Sequence, residues 1–129
     1  MVIIVSVESG LTARLELVVT DRDTALAARS GDVEVLATPR IIALVEEAAV
    51  AAVAGRLEPG QTTVSMRVQV DHVAPAPVGD LVAATAKLDK VEGRRLTFSV
   101  SVTDPRGLIA AGKVTRVVVD RSRFLDTCR

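Results

Sequence analysis

The sequence predicts an α+β domain in which a curved antiparallel β-sheet wraps around one long helix. Three observations lead to this fold class. The segment from Thr38 to about Ala54 is apolar on nearly every face, which is typical of a buried helix. Four segments with alternating apolar residues follow it, and the short turns between them make the sheet antiparallel. Aromatic residues are only 2% of the chain, so Val, Leu, Ile and Ala must build the core.

The length and charge of the chain limit what it does. Its 129 residues are typical of one domain, and we expect a single domain over 1–129, with a core of about 11–120 and a loose polar tail over 121–129. The formal net charge is zero and no basic run stands out, so we expect no nucleic-acid partner. No apolar run approaches the roughly 20 residues of a membrane span, so we expect no membrane partner.

Cysteine and histidine are scarce in this sequence. The one cysteine, Cys128, has no second thiol to pair with, which is typical of a protein in the reducing cytoplasm. One cysteine and one histidine are little material for a zinc site, so we expect no bound metal.

The first half of the chain contains one predicted strand and two predicted helices. Leu11 to Val19 alternates apolar and polar residues, a period of two that predicts a half-buried strand. Thr24 is placed to cap a short helical segment that ends near Gly31. Thr38 and Pro39 predict the start of the long helix, with the Thr38 side chain capping the free N–H groups.

The second half contains four predicted strands, over residues 63–73, 80–91, about 96–102 and 108–120. The predicted apolar face of the first one consists of Val64, Met66, Val68 and Val70. A curved antiparallel sheet around one central helix is the hotdog fold. A cystatin-like α+β cone shares several of these features, so the pattern alone leaves both folds open.

Glu46 is the first candidate site residue. It shares a helical face with Ile42, Ala49 and Val53, at spacings of three and four residues. A carboxylate on an apolar face costs free energy unless it is paired or functional. Such a group is suited to act as a general base, while a structural role at a dimer seam or a solvent pocket remains open.

His72 and Thr38 are the other candidates. His72, the only histidine, ends a predicted strand before a proline-rich turn, which is a common place for a site residue. The Thr38 hydroxyl lies at a helix N-terminus, where N–H groups favour developing negative charge. A Glu, a His and a Thr at a helix N-terminus supply the base and the oxyanion donors that ester or thioester hydrolysis needs. Spacing alone does not assign this chemistry, because a lone His is more often a packing or surface residue.

Several segments carry a family resemblance: Val35-Leu36-Ala37-Thr38-Pro39, Leu44-Val45-Glu46-Glu47-Ala48-Ala49, Val70-Asp71-His72, Ala76-Pro77-Val78-Gly79, Val91-Glu92-Gly93-Arg94-Arg95-Leu96 and Gly112-Lys113-Val114-Thr115-Arg116-Val117-Val118. Together they resemble the fluoroacetyl-CoA thioesterase family of hotdog proteins. The resemblance covers about residues 11 to 120. An ordered series with matching spacing is more specific than any one of its motifs.

The resemblance implies a catalytic set of Thr38, Glu46 and His72, and it places Ser65 and Arg116 in contact with the substrate. Arg116 falls on the position associated with the coenzyme A end of the site. The family also implies a homodimer, with higher oligomers left open and with each site at or near the subunit interface. It implies no metal and no tightly held cofactor, because coenzyme A is part of the substrate.

Two departures from the family concern acyl specificity. Ser65 stands where the fluoroacetyl-specific enzyme has Gly, and its hydroxyl either donates a hydrogen bond or crowds the acyl pocket. The stretch Thr24–Ala37 has none of the phenylalanines which that enzyme carries in a lid ahead of the long helix. A preference for fluoroacetyl groups is therefore not carried over.

The resulting hypothesis is a cytoplasmic thioesterase that hydrolyses a small or medium acyl-CoA to a free acid and coenzyme A. Glu46 acts either as a general base, with His72 as proton shuttle, or as a nucleophile, and Thr38 holds or polarises the acyl group. Arg116 pairs with the phosphates of coenzyme A.

Other interpretations of the same residues remain. Arg94 and Arg95 either join Arg116 on the phosphates or are solvated strand ends, and we favour the latter. A non-catalytic module that binds an acyl-CoA or a lipid-like ligand is one alternative function. An enoyl-CoA hydratase is the other, since that reaction also uses a His and a carboxylate.

Overall fold

The structure, a computed structural model, describes residues 3–129. Within that range the chain forms one five-stranded sheet and three helices. The strands are β1 (Thr12–Val18), β2 (Gln61–His72), β3 (Leu81–Glu92), β4 (Arg95–Asp104) and β5 (Gly107–Asp120). The helices are α1 (Ala25–Ala28), α2 (Thr38–Ala52) and α3 (Arg121–Asp126).

The sheet order is β1-β3-β4-β5-β2, and all neighbouring strands are antiparallel. The last three strands form a meander joined by tight turns. β1 and β2, which flank α2 in sequence, lie at opposite edges of this meander, so α2 crosses the inner face of the sheet between them. The predicted curved antiparallel sheet around one central helix is confirmed.

The inner face of the sheet is aliphatic. Alternate residues of β3 and β4 are buried, and those of β1 are half-buried against the same core, so the predicted alternation from Leu11 to Val19 is confirmed. The buried residues of the two central strands include Val82, Ala84, Ala86, Leu88, Leu96, Phe98, Val100 and Val102. The two small alanines of β3 leave room for the backbone of α2 to approach the sheet.

Helix α2 starts where the sequence predicts it, but Thr38 does not cap it. The N-cap residue is Ala37, Thr38 is the first helical residue, and no side chain caps the helix. The capping prediction is wrong because the Thr38 hydroxyl bonds to a side chain from β2, described below. Pro39 lies in the first turn, where its missing N–H costs nothing.

The burial of α2 is less complete than its composition predicts. Ala43, Glu47 and Val50 form an exposed stripe along one side of the helix. The opposite faces are buried, so most of the apolar surface of the helix meets the sheet. The helix ends at Ala52, two residues before the predicted end, and Gly55 follows it with a φ of 75°.

A β-bulge in β2 interrupts the alternation that the sequence predicts. Ser65 pairs with Arg116 and Arg67 pairs with Thr115, so Met66 is an extra residue with no partner on β5. A bulge shifts the alternation of side chains by one residue. The predicted apolar face that joined Met66 to the valines of β2 is therefore wrong, and the Met66 residue is 49% exposed.

The bulge determines which residues of β2 face the helix. Thr63 pairs with Val118 and His72 pairs with Ala110, and both of these β5 residues belong to the buried core. In an uninterrupted strand, residues nine positions apart point to opposite faces. The extra residue at Met66 brings Thr63 and His72 to the same, concave face.

Residues 121–129, predicted to be a loose tail, begin with helix α3. The Asp120 carboxylate accepts a hydrogen bond of 3.0 Å from the Arg123 backbone N–H and so caps the helix. Phe124 and Leu125 remain exposed on it. Among residues 3–129, no helix is long and apolar enough to cross a bilayer.

We expect Gly112→Ala to destabilise the protein by at least about 1–3 kcal/mol, the cost of overpacking a tight site. A Cβ at Gly112 would lie 1.9 Å from the Gln69 carbonyl oxygen and 2.8 Å from Val70 Cα, and backbone atoms cannot move aside as a side chain can. Urea unfolding measures the change in the free energy of unfolding.

Gly31→Ala is the matched control for this substitution. There the added methyl would lie 3.5 Å from Ala25 Cβ, an ordinary van der Waals contact. Equal unfolding midpoints for the two variants would contradict the close approach of β5 to β2 at Gly112.

Candidate functional site

The first part of the site is a hydrogen-bonded pair at the N-terminus of α2, which we name the histidine pair. Thr38 Oγ1 lies 2.7 Å from His72 Nδ1. Thr38 is exposed in the first turn of the helix, and His72 is the last residue of β2. His72 Nε2 is covered from solvent and has no hydrogen-bond partner among residues 3–129. A buried polar atom without a partner is rare and costs about 1–3 kcal/mol, so this nitrogen is available to a further group.

The second part is a partly buried ion pair, which we name the carboxylate cluster. Arg116 Nη1 donates to Glu46 Oε1 at 2.9 Å. The same guanidinium donates through Nε to Thr63 Oγ1 and through Nη2 to the Thr63 carbonyl oxygen, both at 2.9 Å. The Arg116 side chain is 10% exposed and the Glu46 side chain 24%. Glu46 Oε2 accepts no hydrogen bond within the described part of the chain.

The two parts lie well apart within one chain. Thr38 and Glu46 are eight residues apart on α2, a rise of about 12 Å along the helix axis. Ala110, opposite His72, and Arg116 are six residues apart on β5, or about 20 Å. One chain therefore presents the histidine pair and the carboxylate cluster as separate groups along the α2–β2 edge.

Ser65 lies beside the carboxylate cluster. It is exposed on β2 and pairs with Arg116 at the edge of the bulge. Behind it, an open pocket of about 370 Å³ is bordered by Met66, Glu92, Arg94, Arg95 and Val117. Arg94 and Arg95 are exposed at the turn between β3 and β4, in agreement with their interpretation as solvated strand ends.

Hydrogen bonds join four of the residues selected from the sequence into two separate pairs. Thr38 bonds to His72, and Glu46 bonds to Arg116, whose predicted pairing with coenzyme A phosphates stays a prediction. Thr63 is the residue that sequence reasoning missed. The presence of Arg116 could have indicated such a residue, because a cation inside the apolar strand β5 requires buried acceptors.

Metal-binding groups are sparse around these residues. Across residues 3–129, no cluster of three or more His, Cys, Asp and Glu side chains is arranged to hold a metal ion. Cys128, the one thiol, is exposed.

A second charged cluster holds the loop that follows His72. Arg106 Nη2 donates to the Pro75 carbonyl oxygen at 3.2 Å, to Asp104 at 2.8 Å and to Asp80 at 3.4 Å. A hydrogen bond with Asp104 and burial raise the pKa of Asp80. The same hydrogen bond, together with those from Arg106, lowers the pKa of Asp104 to about 2. The pKa values of the two neighbouring carboxyl groups are thus shifted in opposite directions beside the guanidinium.

The sequence and the fold match known proteins. A family model described as Fluoroacetyl-CoA-specific thioesterase matches residues 19–122. This chain belongs to the fluoroacetyl-CoA-specific thioesterase family. The fluoroacetyl-CoA thioesterase of Streptantibioticus cattleyicolor is 41% identical over 91 residues, which are 70% of this chain and 66% of that protein.

Solved structures confirm the hotdog fold of this family member. A mutant fluoroacetyl-CoA thioesterase in complex with fluoroacetate and CoA superposes with a TM-score of 0.83 at 33% identity, covering 92% of this chain and 99% of its own. A Thermus thermophilus thioesterase superfamily member has a TM-score of 0.87 at 27% identity, covering 95% and 90%. A hot-dog-like protein from Thermanaerovibrio acidaminovorans also has a TM-score of 0.87, at 31% identity, covering 93% and 89%.

Asp80→Asn is expected to change how the free energy of unfolding depends on pH. With its raised pKa, Asp80 contributes stability below the usual value of 3.8, and this is lost as the pH rises through the raised pKa. With its lowered pKa, Asp104 contributes stability above 3.8, and this is lost as the pH falls toward about 2. An asparagine amide donates to Asp104 at every pH, so the variant should gain stability relative to wild type as the pH rises above about 4 and through the raised pKa of Asp80.

Urea unfolding at several pH values measures this difference. Asp32→Asn, at an exposed position in the connector before α2, controls for the loss of one surface charge. If the stability curves of the wild type and Asp80→Asn run parallel, Asp104 does not raise the pKa of Asp80.

Proposed function

We propose that this protein is a thioester hydrolase that cleaves a small or medium acyl-CoA to the free acid and coenzyme A. Acyl-CoA thioester hydrolysis is the activity that membership of this thioesterase family supports. The observation that carries the proposal is the state of Glu46. Its carboxylate is held in the concave face of the fold through one oxygen, while the other oxygen is uncommitted.

Glu46 drives the chemistry by one of two routes. As general base it takes a proton from the water that attacks the thioester carbonyl, the C–S bond breaks, and the proton passes through His72 to the departing thiolate. As nucleophile it attacks the carbonyl carbon directly, expels the thiolate and forms an anhydride that water then hydrolyses. Both routes use the free Oε2, and the products are the same acid and thiol.

Thr38, Ser65 and Arg116 complete the proposed site. The Thr38 hydroxyl lies at the positive end of a 15-residue helix, which suits it to polarise the acyl carbonyl oxygen. Ser65 lines the wall beside Glu46 together with the two N–H groups of Arg116 that make no hydrogen bond among residues 3–129, and we expect these groups to contact the substrate. Pairing of Arg116 with the coenzyme A phosphates competes with these three internal bonds, so geometry favours contacts near the acyl end.

Each site in this proposal is built by two chains of a homodimer. β2 is a 12-residue edge strand, and a long unpaired edge is a template for pairing with another chain. Antiparallel pairing of two β2 strands about a twofold axis between Val68 and Gln69 sets His72 opposite Ser65 of the partner subunit. The histidine pair of one protomer then meets the carboxylate cluster of the other.

The proposal specifies the acyl group of the substrate only by its size, as small or medium. The segment ahead of α2, which carries Leu26 and Val33 as exposed apolar residues, has no aromatic side chain, so specificity for fluoroacetyl is not part of the proposal. We place the enzyme in the cytoplasm, on the strength of its single thiol. Coenzyme A takes part as substrate, and no step of either route requires a cofactor.

We expect Glu46→Ala to lose at least about tenfold in the rate of thiol release, or about 1.4 kcal/mol of transition-state stabilisation. The wild type and the variant are compared on short, medium and aromatic acyl-CoAs. Glu47→Ala is the matched control, because Glu47 is the next residue, is exposed and pairs with Arg40 outside the site. It should retain wild-type activity.

The products formed from the acyl-CoA panel distinguish a thioesterase from a hydratase and from a non-catalytic binding module. Free thiol identifies a thioesterase and a hydrated acyl-CoA identifies a hydratase. No product across the panel, from protein shown by light scattering to be an intact dimer, would leave only the binding module.

The two-chain site predicts that inactive protomers complement each other. Glu46→Ala and His72→Ala homodimers should each be inactive, because every site lacks one group. A mixed dimer, purified through two different affinity tags, has one complete site and should recover about half of the wild-type rate. An inactive mixed dimer would show that each site draws both groups from the same chain.

A further inference from the structure

Arg116 reaches Glu46 only by one edge of its guanidinium. The other edge, formed by Nε and Nη2, is held by the hydroxyl and the carbonyl oxygen of Thr63 at 2.9 Å each. Two parallel bonds to one residue fix the plane of a guanidinium, whereas a single bond leaves it free to rotate. Thr63 therefore sets the direction in which Nη1 points, and Nη1 is the atom that holds Glu46 Oε1.

Thr63 is well placed to orient the Arg116 guanidinium, and the described part of the chain shows no other role for its hydroxyl. It is 8% exposed and lies on the concave face because of the bulge at Met66. Among residues 3–129, its hydroxyl bonds to Arg116 alone. A threonine hydroxyl in a buried strand is costly without a partner, and an aliphatic residue would pack equally well at this position. The side chain does not reach Glu46 itself.

We propose that Thr63 is a positioning residue for the hydrolysis, acting through Arg116 on the carboxylate of Glu46. This inference rests on the proposed function, in which Glu46 is the catalytic carboxylate. When the Thr63 hydroxyl is absent, the guanidinium keeps its bond to the carbonyl oxygen but loses the second point that fixes its plane. Glu46 Oε2 then samples a wider range of positions relative to the thioester, and precise alignment is what the reaction needs.

The test compares Thr63→Val, which removes the hydroxyl at nearly constant shape, with Thr63→Ser, which keeps it. We expect Thr63→Val to lower kcat about tenfold with KM changed less than about twofold, since the substrate is bound by other groups. Thr63→Ser should stay within about threefold of the wild type. Thr62→Val, the same substitution one residue earlier and outside the cluster, is the matched control and should leave both constants unchanged.

A double-mutant cycle shows whether Thr63 acts through Arg116. In an Arg116→Met background, Thr63→Val should cause no further loss, because the group it positions is already gone. Additive losses, equal losses for Thr63→Val and Thr63→Ser, or no loss for Thr63→Val would each overturn the inference.

Nuclear magnetic resonance of Arg116 separates this inference from the proposed function. In the wild type, the Arg116 Nε–H should exchange slowly with water, and in Thr63→Val this protection should be lost. If the wild type releases no thiol, the proposed function fails. A protected Nε–H then retains Thr63 as the residue that orients Arg116 and Glu46, while an unprotected one overturns the inference as well.

Discussion

The carboxylate of Glu46 can lie under an aliphatic sheet only because Arg116 meets it there. Arg116 is the buried member of this pair, and without the Glu46 carboxylate its charge would lose a partner inside the fold. The pair therefore links helix α2 to strand β5 across the core. One oxygen of Glu46 is held by Arg116, and the other accepts no hydrogen bond among residues 3–129, which is the oxygen that the proposed hydrolysis uses.

The pair depends in turn on an irregularity of the sheet. Without the extra residue at Met66, Thr63 and His72 would lie on opposite faces of β2, and one strand could not serve both parts of the site. The bulge places both on the concave face, at the two ends of an edge strand. An edge strand is also where a second subunit can pair, and the proposed two-chain site relies on such pairing.

Local patterns predicted much of this molecule. The alternation of β1, the start of α2 at Thr38 and Pro39 and the four strands that follow it each depend on neighbours in sequence, and the structure confirms them. The predictions that were wrong failed because of contacts between residues that are far apart in the sequence. Thr38 was expected to cap α2, but a histidine 34 residues away takes its hydroxyl. Met66 was placed on an apolar face, but pairing with β5 inserts it as a bulge.

The sequence by itself determined the fold class, the family and the candidates Thr38, Glu46 and His72, because these follow from periodicity and from an ordered series of motifs. Tertiary structure decided their partners. It joined Thr38 to His72, turned Arg116 inward to Glu46 and recruited Thr63, which no local pattern marks. The physical reason is that a buried polar group must find its acceptor wherever the fold provides one, and in this protein those acceptors lie 34 to 70 residues away in the chain.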